Sequence, residues 1–330
     1  MHEALHYSKL KDNRVKCRIC PNNCIIDDQK RGICMGRLNK AGTLIAENYG
    51  QIVTASVDPV EKKPLYHFYP SELILSISTY GCSFSCQFCQ NSQLSQHILG
   101  AEYMDPADIV ELTLRKNSFG IAYTYSEPLV WYEYVLDCAR LAKEKGLKNV
   151  LVSNGYINEE PLQELMKYID AVNIDIKSFR DAFYREYCNG KLEPVLASAK
   201  AFYKNKVHIE ITNLVIPALN DTEQEIRDLA NFIHDEMGKE VPLHFSRYFP
   251  NYRMNIEPTP LSTLEMAYSI AREKLDYVYI GNIHSSDEYN STYCPSCNNL
   301  LISRACYSAR KTGLTKGRCS KCGEIINVIG

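Results

Sequence analysis

Seven short apolar runs recur through the middle of the chain: LILSIS (73–78), GIAYTY (120–125), NVLVSN (149–154), DAVNIDI (170–176), VHIEITNLVI (207–216), PLHF (242–245) and DYVYIG (276–281). Between them lie helical patterns such as DPADIVELTLRKN, VWYEYVLDCARLAKEKG, TEQEIRDLANFIHDEMG and STLEMAYSIAREKL. Several open on Asp, Thr or Ser at an N-cap position and two close on Gly. Strand alternating with helix specifies parallel βα units, and runs this uniformly apolar suit a sheet covered on both faces. Six or seven units favour an open, partial (β/α)6-type TIM barrel over a doubly wound sheet, with the barrel at residues 71–285. The preceding segment, 1–70, reads as loop-like and ends in EKKPLYHFYPSE, whose prolines interrupt regular structure. From residue 286 the helical periodicity stops, leaving a small cysteine-paired module, 286–330. A chain of 330 residues can bury one large core with such appendages.

A net charge of −2 supplies no general pull toward nucleic acid or anionic lipid. No apolar run approaches the ~20 residues that span a bilayer, and the first residues lack the apolar core of a signal peptide. The expectation is a cytoplasmic protein with no membrane partner. In such a chain fourteen cysteines read as metal ligands rather than disulfides. Four fall between 17 and 34, three between 82 and 89, and four form two C-x2-C pairs; Cys138, Cys188 and Cys306 stand apart. Cys138 reads as core, Cys306 as a spare thiol, and Cys188 as either core or substrate-facing.

In a β/α barrel, chemistry collects in the loops after the C-terminal ends of the strands. Each polar cluster falls at such an end: the cysteine loop after the first strand, SEP (126–128) after the second, SNG (153–155) after the third and DIK (175–177) after the fourth. They are expected to converge on one mouth. In YGCSFSCQFCQN (80–91), Cys82, Cys86 and Cys89 leave any tetrahedral or cubic metal centre one ligand short. Three thiolates on one loop can hold three irons of a 4Fe-4S cluster, leaving the fourth open to an external ligand. A closed zinc site fits less well, because no fourth Cys or His lies nearby.

The C-x3-C-x-Φ-C spacing, with Phe88 as the aromatic, resembles the radical SAM superfamily. The order CQFCQN, YTYSEP, SNGY, DIKSF and IPALND resembles its pyruvate formate-lyase activating enzyme branch. CRICPNNC, YTYSEPLVWYEY, HFSRYFPNYRM and CPSC…CSKC resemble the radical SAM member of the AmmeMemoRadiSam system. The resemblance implies an oxygen-sensitive 4Fe-4S cluster on Cys82, Cys86 and Cys89, with S-adenosyl-L-methionine (SAM) bound through its amino and carboxylate groups at the unique iron. It also implies reductive cleavage of SAM to a 5'-deoxyadenosyl radical and hydrogen abstraction from a substrate, a protein or peptide by analogy with activating enzymes. Implied partners are a low-potential electron donor such as flavodoxin or ferredoxin, and Memo-type and AMMECR-type proteins.

The same resemblance nominates contacts to SAM. Tyr80 and Phe88 come from the cysteine loop, with Phe88 against the adenine. Glu127 matches the family's Gly-Gly-Glu-Pro and would accept from the amino group, with Ser126 as a second contact; Tyr125 and Ser126 stand where glycines are usual. Asp175 and Lys177 face one side of a strand and are charge-matched to ribose hydroxyls and a carboxylate. Asn154, Asn213 and His244 are further candidates, with core or rim hydrogen bonding as the competing reading. Arg247, Tyr248, Tyr252 and Arg253 would suit a peptide backbone.

Cys294, Cys297, Cys319 and Cys322 read as a zinc ribbon. Cys17, Cys20, Cys24 and Cys34 are compatible with zinc or with an auxiliary iron–sulfur centre. Two other functions compete. One is a radical SAM enzyme modifying tRNA or another nucleic acid, with KTGLTKGRCSK (311–321) gripping phosphate. The other is a zinc-ribbon interaction protein with an idle barrel.

Overall fold

The computed structural model describes residues 1–283 and 287–330; the module boundary expected at 285/286 lies outside them. Its centre is an eight-stranded sheet in the order Val278–Gly281, Leu243–Arg247, His208–Val215, Ala171–Asp175, Lys148–Ser153, Gly120–Tyr123, Leu73–Ser78, Thr54–Pro59. Seven strands run parallel and coincide with the seven apolar runs. The two end strands do not pair with each other, so the barrel is open. Helices such as Tyr132–Glu144, Leu192–Lys204 and Glu223–Met237 cover its outer face. Val135, Leu136 and Ala139 pack there in one core with Ile121, Leu151 and Val172. Thr222 caps its helix by accepting from Glu225 N at 3.3 Å.

The eighth strand, Thr54–Pro59, runs antiparallel to Leu73–Ser78 and lies in the segment expected to be loop-like. That expectation is corrected. Residues 1–46 also form two three-stranded antiparallel sheets, one from His2–Glu3, Thr43–Ala46 and Arg37–Lys40, the other from Tyr7–Lys9, Val15–Cys17 and Ile25–Ile26. Strands this short carry too few residues for alternation to register. TASVDP hides for another reason: an edge strand tolerates polar residues and a terminal proline.

EKKPLYHFYPSE is equally not a linker. Val60, Leu65 and Phe68 pack against Ile74, Ala122, Val150 and Ala171 near the N-terminal ends of the strands, closing the barrel floor. The buried Glu210 carboxylate holds this plug, accepting from Tyr66 N at 3.0 Å and His67 N at 2.7 Å. The C-terminal module docks beneath the plug. Ile329 N donates to His67 O at 2.8 Å, His67 Nδ1 lies 2.9 Å from Asn327 O, and buried Arg304 donates to the Tyr66 carbonyl.

Candidate active site

At the opposite end of the barrel, the loop after Leu73–Ser78 folds onto the turn at Tyr184–Cys188. Ser85 N donates to Cys188 O at 3.0 Å and Gln87 N to Tyr187 O at 2.9 Å. Cys82, Cys86 and Cys89 are all free thiols on this loop. Cys82 Sγ receives Phe84 N at 3.3 Å and Asn154 Nδ2 at 3.6 Å, and Cys89 Sγ lies 3.2 Å from Ser95 Oγ. N–H groups aimed at sulfur favour the thiolate and tune a cluster's potential. A hydrogen bond with Cys188, then burial, pushes the Cys86 thiol up; burial does the same to Cys82 and Cys89. Buried sulfurs of this kind become stable thiolates when a metal supplies the missing positive charge. The donor set therefore fits a cluster. Cys188, which the sequence left undecided between core and substrate, is buried beside Cys86.

Glu127 is buried after the second strand, and its carboxylate joins two loops. Oε1 accepts from Ser153 Oγ at 2.7 Å and Leu129 N at 3.0 Å, and Oε2 from Asn154 N at 2.8 Å. Burial nevertheless pushes its pKa up to about 7. Asn154 Nδ2 also donates to Ser83 Oγ at 3.0 Å, so the third strand's loop is tied to the cysteine loop. Tyr125 adopts φ 67°, the left-handed conformation that glycine takes without strain. Its hydroxyl donates to Asp58 Oδ2 at 2.5 Å and accepts from Lys63 Nζ at 3.0 Å. That anchor, 67 residues away in sequence, holds a non-glycine in the bend that presents half-buried Ser126.

Lys177 Nζ lies 3.2 Å from Asp175 Oδ2 and 5.9 Å from the centre of the Phe88 ring. Burial pulls the ammonium down, but negative charge at the Asp175 carboxylate and on the Cys86 and Cys188 sulfurs outweighs it and holds its pKa above the usual lysine value. Phe88 is itself buried, with its ring 5.7 Å from that of Phe183. Arg253 N donates to Gln87 O at 2.9 Å, which brings the 251–254 turn to the cysteine loop with Tyr252 exposed.

Four expected contacts are engaged with protein partners or packed into the core. His244 Nε2 sits 2.7 Å from Glu210 Oε2 in the floor network, because its position early in Leu243–Arg247 puts it below the mouth. Asn213 donates Nδ2 to Ile176 O at 2.8 Å, bracing the next strand's end. Tyr80 is buried toward the N-terminal segment; burial raises its pKa, as does Glu47, while Arg31 lowers it. Tyr248 is fully buried, its hydroxyl donating to Met254 O at 3.0 Å.

Residues 76–233 match the family model described as the radical SAM superfamily. The chain belongs to the radical SAM superfamily. This radical SAM enzyme is related to activating enzymes: the pyruvate formate-lyase-activating enzyme of Clostridium pasteurianum is 26% identical over 206 residues, covering 59% of this chain and 85% of that one. An uncharacterized protein of Methanocaldococcus jannaschii is 45% identical over 337 residues, covering 100% of both chains. A radical SAM methyltransferase from Sphaerobacter thermophilus shares the fold, with a TM-score of 0.52 at 13% identity over 71% of each chain. Membership implies a 4Fe-4S cluster and SAM. No helix among the described residues is long and apolar enough to cross a membrane.

The C-terminal cysteines form a separate centre at the floor. The sulfurs of Cys294, Cys297, Cys319 and Cys322 lie within 4.8 Å of one another. Cys294 and Cys322 are 3.5 Å apart, and Cys297 and Cys319 3.6 Å. Burial pushes the Cys319 thiol up, but the N–H groups of Cys322 and Lys321 and the neighbouring Cys297 and Cys322 thiols together pull it down to about 6.

Proposed function

We propose that this radical SAM enzyme removes hydrogen from a protein or peptide segment, as an activating-enzyme-like oxidoreductase of the cytoplasm. The observation that carries the reading is the convergence of the cysteine loop, the Glu127–Asn154 link and the Asp175–Lys177 pair at one open barrel mouth. Cys82, Cys86 and Cys89 would hold the cluster. Held there and reduced by a flavodoxin- or ferredoxin-class donor, such a cluster would supply the low-potential electron for reductive cleavage of SAM.

The chain's own groups orient and enclose. Lys177 offers an ammonium to the SAM carboxylate, and Asp175 an acceptor to the ribose hydroxyls. Glu127 acts first as a brace between loops, with Oε2, which accepts from Asn154 N, the acceptor offered to the amino group, and Ser126 adds a hydroxyl beside it. Buried Phe88 walls the site against water. Tyr252 and Arg253 present an aromatic face and donors to an extended chain entering at the open edge. At the floor, Cys294, Cys297, Cys319 and Cys322 would hold zinc as a structural clamp on residues 287–330. Memo-type and AMMECR-type proteins are the first candidate substrates or partners. The nucleic-acid reading loses support, because 311–321 belongs to the floor module rather than the mouth.

The test is to incubate the reduced, reconstituted protein with SAM and deuterium-labelled candidate proteins, then to look for deuterium in 5'-deoxyadenosine. Transfer from one position of a polypeptide is expected. Transfer from small metabolites or RNA alone overturns the substrate class. Cys82→Ala, Cys86→Ala and Cys89→Ala should each abolish 5'-deoxyadenosine release. Lys177→Ala should weaken SAM binding by about 1.5 to 3 kcal/mol with the cluster retained.

A further inference from the structure

A second set of thiols stands against the first. Cys17, Cys20 and Cys34 are buried and Cys24 is half-buried, all four are free, and they line one cavity whose walls include Ile19, Ile26 and the Arg37 guanidinium. The four residues line this space, but their sulfurs are not gathered within 4.8 Å of one another. Among the described residues, only the C-terminal quartet brings the ligand atoms of three or more such side chains within 4.8 Å of one another. A tetrahedral zinc ion needs all four sulfurs at about 2.3 Å from a single centre. A polynuclear cluster takes each thiolate on a different iron, and so suits ligands standing around a cavity. Arg37, 2% exposed and paired with Glu133 at 2.6 Å, sets a buried positive charge against the anionic centre such thiolates would form.

The location adds a role. The Cys34 carbonyl presses on Gly81 so closely that a Cβ at 81 would meet its oxygen at 2.2 Å, and Asn22 Nδ2 donates to Ser83 O at 2.8 Å. Gly81 and Ser83 flank Cys82, so the chain that carries one thiol set touches the chain that carries the other. Four protein thiolates leave no iron open to SAM or substrate. Such a centre, set against the cysteine-triplet loop, is placed for electron transfer rather than for ligand chemistry at iron.

We propose that Cys17, Cys20, Cys24 and Cys34 hold a redox-active iron–sulfur cluster that passes electrons to the cluster on Cys82, Cys86 and Cys89. One electron enters from a low-potential donor of the flavodoxin or ferredoxin class, which is oxidised by one electron. The same electron leaves to the second cluster, and no bond or proton on the protein changes. The relay rests on the proposed function of the triplet, whereas the existence of the N-terminal cluster does not.

The experiment separates the two. In the full chain carrying Cys82→Ala, Cys86→Ala and Cys89→Ala together, anaerobic reconstitution with iron and sulfide should leave about four irons per protein. Dithionite should then produce the electron paramagnetic resonance signal of a one-electron-reduced cluster. Zinc at this site, no bound metal, or iron that takes up no electron would overturn the cluster. In the complementary Cys20→Ser, Cys34→Ser protein, iron should fall from about eight to about four. In the reduced unsubstituted protein, two neighbouring paramagnets should give a spectrum broadened by spin coupling. A spectrum equal to the sum of the two variants' spectra would overturn the relay.

Discussion

Cys294, Cys297, Cys319 and Cys322 gather their sulfurs within 4.8 Å on a module whose few buried residues cluster with Tyr66, Tyr277 and Tyr279 at the floor. Cys17, Cys20, Cys24 and Cys34 instead line a cavity in a segment fused to the main core beside the active-site loop. Two C-x2-C knuckles on short hairpins bring four sulfurs together locally, whatever lies around them. The N-terminal arrangement depends on the barrel: Arg37 reaches Glu133, Asn158 N donates to Ile19 O at 2.9 Å, and Asn158 Nδ2 to Cys20 O at 3.1 Å. The same ligand type can therefore serve as a staple for a small module or as part of a larger site, and packing decides which.

The sharpest way to break this contrast is to take the metal from the floor module. Structural zinc contributes about 10 to 16 kcal/mol in small domains. Cys294→Ser with Cys319→Ser should therefore remove zinc and abolish hydrogen-exchange protection over 291–330, while the barrel strands stay protected. Protection that survives without metal would mean the module is held by its core and not by its thiols.

Arg37→Met tests the fused region. It leaves the buried Glu133 carboxylate without its cation and should destabilise the protein by about 3 to 5 kcal/mol, read by chemical denaturation. The N-terminal segment and the helix Tyr132–Glu144 should lose protection together. A loss below about 1 kcal/mol would make the N-terminal segment as separable as the floor module.

The joint between floor module and barrel has its own pH signature. Burial pulls His67 down to about 4 from 6.5, with Nε2 at 2.7 Å from the Tyr279 hydroxyl. Between these values the unfolded chain binds more protons than the folded one. Stability is then fully present above pH 6.5 and lost as pH falls toward 4, by roughly 3 kcal/mol. His67→Gln should flatten that window in denaturation curves at pH 7.5, 5.5 and 4. An unchanged slope would remove His67 as its source.

The smallest effect concerns a single contact. Tyr49 OH donates to Asp137 Oδ2 at 2.7 Å, between the N-terminal segment and the barrel helix. Tyr49→Phe should lower stability by about 1 kcal/mol without changing iron content. Loss of iron on this change would show that the N-terminal cavity is less firmly built than its contacts imply.

Seven parallel strands and the C-terminal cysteine set were legible because each is written in neighbouring residues: apolar runs between helical patterns, and paired C-x2-C spacings. The plug was not. KKPLYHF has no periodicity, and its place follows from Glu210, 143 residues from His67. The hydrogen-bond partners of His244 and Asn213 were hidden for a related reason. Position near a strand end is visible in sequence, but depth along the barrel and the face of the strand depend on register with neighbours, such as Thr212 opposite His244. Cys188 could have been noticed only as an isolated thiol, since its proximity to Cys86 arises from a turn folded back under the cysteine loop.

By itself, then, the sequence determined the alternating strands and helices, the superfamily's cysteine triplet and the paired C-terminal cysteines, because short-range spacing and periodicity encode these directly. Only the tertiary structure decided that this module sits at the floor while the N-terminal cysteines stand beside the triplet at the mouth. Those placements come from contacts between residues far apart in the chain, including Asn22 with Ser83, 61 positions apart, and His67 with Asn327, 260 positions apart. Such contacts are set by which buried polar groups find partners once the core closes, and local pattern carries no record of them.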